Sequence, residues 1–227
     1  MISLNEAFPF WNSLTELEQE EVLDNITIRQ YRTGETIKKQ AGLYLVSDGY
    51  IMVYSNHENG RRRVVFSAQW LDSILFTPTF LKDSNSTYLE LISRESSEVC
   101  FINYDAWRRF EIKRPEVVDF SRKVLSEQMS ALTFVLYAKM EKDLSKRLAL
   151  FLLRHFEKNK ENNGSIIRIS HEELADLIGS TREVITRNIS VLKSEGLIET
   201  GRGKIRIIDE NKLREYANDQ KNNNWEK

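Results

Sequence analysis

The sequence predicts an α+β fold, on three observations. Residues 26–102 alternate short β-type runs with turn residues, residues 116–140 run without Gly or Pro, and the last third reads as helix, tight turn, helix and glycine-tipped hairpin. Many short strands at near-regular spacing indicate a sandwich, roll or barrel. An uninterrupted run of about 25 residues makes a helix of roughly 37 Å.

Taken in order, residues 3–24 carry a short helical pattern, with Leu14, Leu17 and Val22 at helical spacing. The β-type runs are Ile26–Arg32, Thr36–Lys39, Leu43–Ser47, Tyr50–Ser55, Arg63–Ala68, Thr87–Ser93 and Val99–Asn103. Turn signals separate them at Thr33-Gly34, Ser47-Asp48-Gly49, 56–60 and 83–86. Pro115 then suits the first turn of a helix. Val118, Leu125, Met129, Leu132 and Leu136 form its apolar stripe, which Ser121 or Arg122 interrupts. Such a stripe packs on its own domain or pairs with a second copy. Val117, Phe120, Val124 and Val135 lie off it, so one helix can do both.

Asp143 is the expected N-cap of a new helix. Leu148, Phe151, Leu152 and Phe156 form its buried side, and Ile166–Ile169 is a short strand. Ser170 and Glu173 then make a capping box. Leu174, Leu177 and Ile178 share one face, and Gly179 can turn the chain sharply. A second helix starts near Thr181 and buries Ile185, Ile189 and Leu192. Arg182, Glu183, Thr186 and Arg187 are left on the opposite face. Arginine can pair bidentately with guanine, and glutamate can accept from the cytosine amino group. A helical hairpin with a charged outer face is common in ordinary domains, but the next segment favours DNA. Residues 197–200, 201–203 and 204–208 read as strand, glycine turn and strand, which makes the unit a winged helix-turn-helix. Arg202 and Lys204 sit where a wing meets phosphates.

Composition agrees with a localised footprint. Residues 146–227 hold 16 Lys and Arg against 13 Asp and Glu, whereas residues 1–145 hold 17 against 21. Residues 1–6 lack a basic region with an apolar core, so no secretory leader is expected. The uncharged stretch from Gln128 to Ala138 is too short to span a bilayer. Cys100 is the one cysteine, which excludes an internal disulfide. A cytoplasmic protein without a membrane partner is expected.

The order of β-roll, long helix and winged helix resembles the cyclic AMP receptor/fumarate-nitrate regulator (Crp/Fnr) superfamily of bacterial transcription factors. The similarity covers nearly the whole chain. It is strongest in Asp143–Arg147 and Ser170–Ile208, and moderate in Tyr31–Ile37 and Leu43–Gly49. It implies a double-stranded β-helix (jelly-roll) effector domain over 1–114, a dimerisation helix over 115–142 and a DNA-binding domain over 143–227. It also implies a homodimer paired through Val118, Leu125, Met129, Leu132 and Leu136, a palindromic duplex operator, and RNA polymerase as a partner. The family's Arg-Glu-x-x-x-Arg pattern falls on Arg182, Glu183 and Arg187. By resemblance, Glu183 and Arg187 read a C·G or G·C pair and Arg182 reads a neighbouring guanine. The half-sites then contain G-A and lie about one helical turn apart. Ser170, Thr181, Thr186, Arg202 and Lys204 complete the expected contact set. Asn188 departs from the family's usual apolar residue beside Ile189.

The sensor half departs further. Aligned with the family's phosphate cassette are Asp72-Ser73 and Thr87-Tyr88. No arginine is available there for a cyclic phosphate, and Asp72 would repel one. Cyclic AMP is therefore not expected. The iron–sulfur branch needs four cysteines, which excludes that cluster too. The turn between Ile37 and Tyr44 is shorter than usual for the family. The expected effector is an unidentified small molecule or redox cue, with Phe66, Trp70, Asp72, Ser73, Thr87, Tyr88 and Leu132 as its candidate pocket. Phe66, Trp70, Phe76, Phe80, Tyr88, Phe101 and Trp107 are expected mostly in the core. His57 is expected on a surface turn, Cys100 as a core thiol, and His155 and His171 in structural roles. Haem ligation by His57 stays open, with nothing else in the sequence supporting it. Two other functions compete. One is an effector-independent DNA binder with a degenerate sensor. The other is a cupin-like metal enzyme, which needs clustered histidines that this chain lacks.

Overall fold

The computed structural model describes residues 4–56, 62–83, 88–140, 143–158, 166–201 and 203–218. It divides into two compact units, Met1–Leu132 and Thr133–Lys227, and the division falls inside a continuous helix.

In the first unit the N-terminal pattern breaks into α1 (Leu4–Ala7), a 3-10 turn (Trp11–Ser13) and α2 (Glu16–Asn25). Thr15 and Glu18 cap α2 reciprocally. Arg114 donates two hydrogen bonds to Glu18, at 2.7 and 2.5 Å. These bonds and those from Thr15 hold the Glu18 carboxyl down at about 2. Leu17, expected on the packed face, is instead 77% exposed. Leu14 and Val22 supply the burial; within α2 Leu17 stands five residues before Val22, about 140° around the helix, and so faces away from it.

The β-rich half is two four-stranded antiparallel sheets facing one another, the jelly-roll arrangement. One sheet holds β1 (Ile26–Tyr31), β8 (Ser97–Asn103), β3 (Gly42–Asp48) and β6 (Ser73–Phe76), in that order. The other holds β2 (Thr36–Ile37), β7 (Leu89–Ser93), β4 (Tyr50–Asn56) and β5 (Arg62–Gln69). Side chains alternate across a strand, and β3 shows the result. Tyr44 and Val46 join the core between the sheets, with Ile51, Val53, Phe66 and Phe76. Leu43 and Leu45 join a second core, with Phe8, Phe10, Trp107, Phe120 and Val124. Burial on both faces makes β3 apolar throughout, so it lacks the half-buried strand's alternation. Cys100 is 3% exposed, and burial pushes its thiol up, which disfavours the reactive thiolate.

Three elements of the first unit have no counterpart in the sequence reading: β6, α3 (Pro78–Lys82) and α4 (Tyr104–Lys113). Asn103 caps α4 by accepting from the Ala106 amide at 2.9 Å. The long helix α5 spans Pro115–Met140. Its Val117, Phe120 and Val124 are buried, as expected of the residues off the stripe. Of the two candidates for interrupting the outer stripe, exposed Arg122 is the one on that face, while Ser121 lies on the buried face at 4% exposure. There it accepts from Trp107 Nε1 at 2.8 Å and donates to the Val117 carbonyl. Lower on the helix, the Gln128 amide meets β6, an edge strand. It accepts from the Leu75 N–H at 2.9 Å and donates to the Leu75 carbonyl at 3.4 Å.

The turn Ser47-Asp48-Gly49 needs its glycine. Gly49 has φ +86°, and an added Cβ would meet the Ser96 carbonyl at 2.6 Å. Gly34 has φ +84° with open space around it. Gly34→Ala is thus expected to cost only the left-handed backbone penalty of about 1–2 kcal/mol. Gly49→Ala should cost clearly more, as read from urea midpoints; equal midpoints would contradict the steric account.

Candidate nucleic-acid interface

The second unit is built on α6 (Leu144–Lys158), which buries Leu148, Leu152 and Leu153. Asp143 caps it, accepting from the Ser145 amide at 2.8 Å. The strand β9 (Ile166–Arg168) leads into α7 (His171–Ile178). The capping box is formed: Ser170 Oγ accepts from the Glu173 amide at 3.2 Å, and the Glu173 carboxylate accepts from the Ser170 amide at 2.9 Å. Gly179 turns the chain at φ +78°. Its amide and that of Ser180 both donate to the Ala175 carbonyl at 2.8 Å. Thr181 then caps α8 (Arg182–Ser194), with its hydroxyl facing the Val184 amide.

Helix α8 buries Ile185, Ile189 and Leu192, and packs on α7. Arg182, Glu183, Thr186 and Arg187 are all exposed. The Glu183 carboxyl is held below its ordinary value, chiefly by its own backbone amide and then by the Thr181 hydroxyl. It therefore stays an acceptor near neutral pH, as a cytosine amino group requires. Thr186 Oγ1 donates to the Arg182 carbonyl at 2.8 Å.

Asn188, the departure from the family pattern, is half-buried and makes two polar contacts. Its Nδ2 donates to the Val184 carbonyl at 2.9 Å, and its Oδ1 accepts from Ser145 Oγ. Two residues along α6, Arg147 donates to the Ile178 carbonyl at the end of α7 at 3.0 Å. The segment 143–147 thus ties down both helices of the hairpin.

The wing is β10 (Ile198–Gly201) paired antiparallel with β11 (Lys204–Ile207), and β9 lies on the far side of β11. Ile198, Ile205 and Ile207 are buried, while Lys204 is exposed. Arg202 lies outside the described residues. A short helix, α9 (Glu210–Asn218), packs against α6. Between wing and hairpin is a cavity of about 330 Å³. Ser170, His171, Glu172, Arg182 and Lys204 line it. The sequence reading gave His171 only a structural role. Its Nδ1 in fact lies 2.9 Å from Thr186 Oγ1, which places it beside the exposed row. Its position next to the N-cap was the one available signal.

The other predicted site residues lie in the first unit or on α5. Phe66 is in the core between the sheets. Asp72 accepts from the Gln69 amide at 3.0 Å, and Ser73 is half-buried. Trp70 and Tyr88 are 42% and 41% exposed, as is Phe80 at 40%, so these three aromatics correct the expectation of core positions. Thr87 and His57 lie outside the described residues. On α5, Val118 is half-buried, while Leu125, Met129, Leu132 and Leu136 are exposed. Among the described residues no group of three or more His, Cys, Asp or Glu could hold a metal ion, and no helix is long and apolar enough to cross a membrane.

Comparison with known proteins agrees with this geometry. Residues 146–216 match the Crp-like helix-turn-helix domain. The chain is 24% identical over 213 residues to the cyclic AMP receptor protein of Thermus thermophilus, covering 92% of this chain and 96% of that protein. A crystal structure of a putative Crp/Fnr-family transcriptional regulator from Eubacterium rectale superposes with a TM-score of 0.66 at 26% identity, covering 93% of this chain and 98% of that one. The structure of FixK2 from Bradyrhizobium japonicum superposes with a TM-score of 0.71 at 18% identity, over 84% of this chain and 96% of that one. Residues 146–216 thus carry a Crp-like helix-turn-helix domain, and with its jelly-roll, long helix and wing the chain is similar over nearly its whole length to transcription regulators of the Crp/Fnr family.

Proposed function

We propose that the protein is a homodimeric, sequence-specific regulator whose two copies of α8 read successive major grooves of a palindromic duplex. One observation carries this reading: the exposed row Arg182, Glu183, Thr186 and Arg187 lies on a helix whose other face is buried. In this assignment Glu183 and Arg187 read a C·G or G·C pair and Arg182 a neighbouring guanine. Thr181, Thr186, Arg202 and Lys204 contact backbone phosphates. Ser170 supports them by capping α7. Residues 1–114 serve as effector domain, 115–142 as dimerisation helix and 143–227 as DNA-binding domain. RNA polymerase is the partner on which a bound dimer acts.

The effector is a small molecule or redox cue other than cyclic AMP. The Asp72 carboxylate is engaged by the Gln69 amide in a turn, and it places negative charge where a cyclic phosphate would need a cation. The same feature favours a second reading, in which the protein binds DNA with no effector at all.

Selection from a random duplex pool by the purified protein tests both readings. A palindrome with two G-A half-sites, enriched without additives, supports the dimeric regulator and its effector-independent form. Enrichment only in the presence of small-molecule fractions supports effector control. A folded protein with no preference under either condition would remove the reading. Arg187→Ala is expected to lose about 1–3 kcal/mol on the enriched duplex and little on random DNA. An equal loss on both would reduce Arg187 to a phosphate contact.

A further inference from the structure

His171 plays no part in the assignments above, although it is the first residue of α7 and touches α8. The hydrogen-bond pattern assigns its tautomer. Thr186 Oγ1 has one proton and commits it to the Arg182 carbonyl, 2.8 Å away. Toward the imidazole, 2.9 Å away, this oxygen can only accept. The ring proton is therefore on Nδ1. In the neutral ring Nε2 is a bare acceptor; in the protonated ring it is a charged donor.

We propose that His171 is a proton-dependent phosphate contact, a part of the DNA interface that engages the backbone only when its ring is charged. The inference rests on the reading of α8 as the DNA-facing helix. His171 shares the cavity between wing and hairpin with Lys204, assigned above to a backbone phosphate, and with Arg182 at the start of the reading helix. A bare Nε2 lone pair facing a phosphate oxygen is repulsive, whereas a charged N–H donates a short, strong hydrogen bond. The Thr186 contact fixes the ring in both states, so protonation alters only Nε2. Glu172 lines the same cavity, Glu183 and Arg187 share α8, and Arg168 stands on β9. Carboxylates, lysine and arginine ordinarily keep their charge between pH 6 and 8, where histidine changes its own. DNA favours the charged ring, so binding takes up a proton. Affinity is full at low pH and falls as pH rises through the imidazole range.

The test uses the full chain, fluorescence anisotropy and two probes: the duplex enriched by selection and a random duplex of equal length. Between pH 6 and pH 8 the wild type is expected to lose about tenfold in affinity on both probes. Its salt slope should be steeper at pH 6 by about 1.8, two released counterions for the two rings of a dimer. His171→Gln should flatten the pH profile, and His171→Lys should bind tightly at both pH values. A wild type without the pH dependence, or a His171→Gln variant that keeps it, overturns the inference while leaving α8 as the reading helix. Failure of the folded protein to bind either probe at any pH overturns the reading of α8, and the inference falls with it.

Discussion

Replacing Leu125 and Met129 together by Glu is expected to give a folded monomer whose affinity for a full palindromic duplex falls by about 10²–10⁴-fold. Two half-sites bound through one dimer act at high effective concentration, and that factor is lost when the copies separate. The side chains are 41% and 66% exposed. The substitutions therefore leave the buried face, Val117, Phe120 and Val124, undisturbed. In the proposed dimer they place like charges opposite one another in a low-dielectric seam, where each costs far more than on the surface. Light scattering reads the mass, and titration with a full palindrome and with a single half-site separates avidity from contact. Single half-site binding should stay unchanged. A dimer that persists at micromolar concentration would move the pairing surface away from this stripe.

Trp107→Ala is expected to lower the stability of the first unit by about 3–5 kcal/mol, the range for truncating a fully buried aromatic. Trp107 is 0% exposed. Its ring centroid lies 6.0 Å from those of Phe8 and Phe120 and 6.2 Å from that of Phe10. No neighbour can fill the space, because the same rings already pack against one another. The indole N–H is also the donor to Ser121 on α5. Trp107→Phe keeps much of the volume and loses that bond, so it should cost distinctly less. Urea unfolding followed by near-ultraviolet dichroism reads both variants. A loss below about 1 kcal/mol for Trp107→Ala would show that the cluster relaxes, against the close packing of protein interiors.

How far each feature was legible depended on the distance over which its cause acts. The hairpin around Gly179 was read nearly residue by residue. A capping box needs only Ser170 and Glu173, and a left-handed turn needs only its glycine. The seven β-type runs survived with shifted ends for the same reason. Helix α4 was not legible, because the face it buries, Ala106, Trp107 and Phe110, is short and runs straight into Pro115. Ser121 could not be told from Arg122 as the break in the stripe, because a hydroxyl in an apolar run looks like an interruption until its donor, 14 residues earlier, is known. Leu17 was misplaced because its five-residue spacing to Val22 puts the two on different faces of α2.

The order of elements, the reading face of α8 and the outer stripe of α5 follow from the residue string, since propensity, capping and periodicity act within about four positions. Folding alone brings Gln128 to Leu75 across 53 residues, Ser145 to Asn188 across 43, Arg147 to Ile178 across 31 and His171 to Thr186 across 15. Each of these contacts joins a polar side chain to a partner that local sequence does not contain. Burial makes an unpaired polar group costly, so such groups find partners, but which partner is a matter of packing geometry. That is why the exposed row on α8 was visible from the start and the histidine beside it was not.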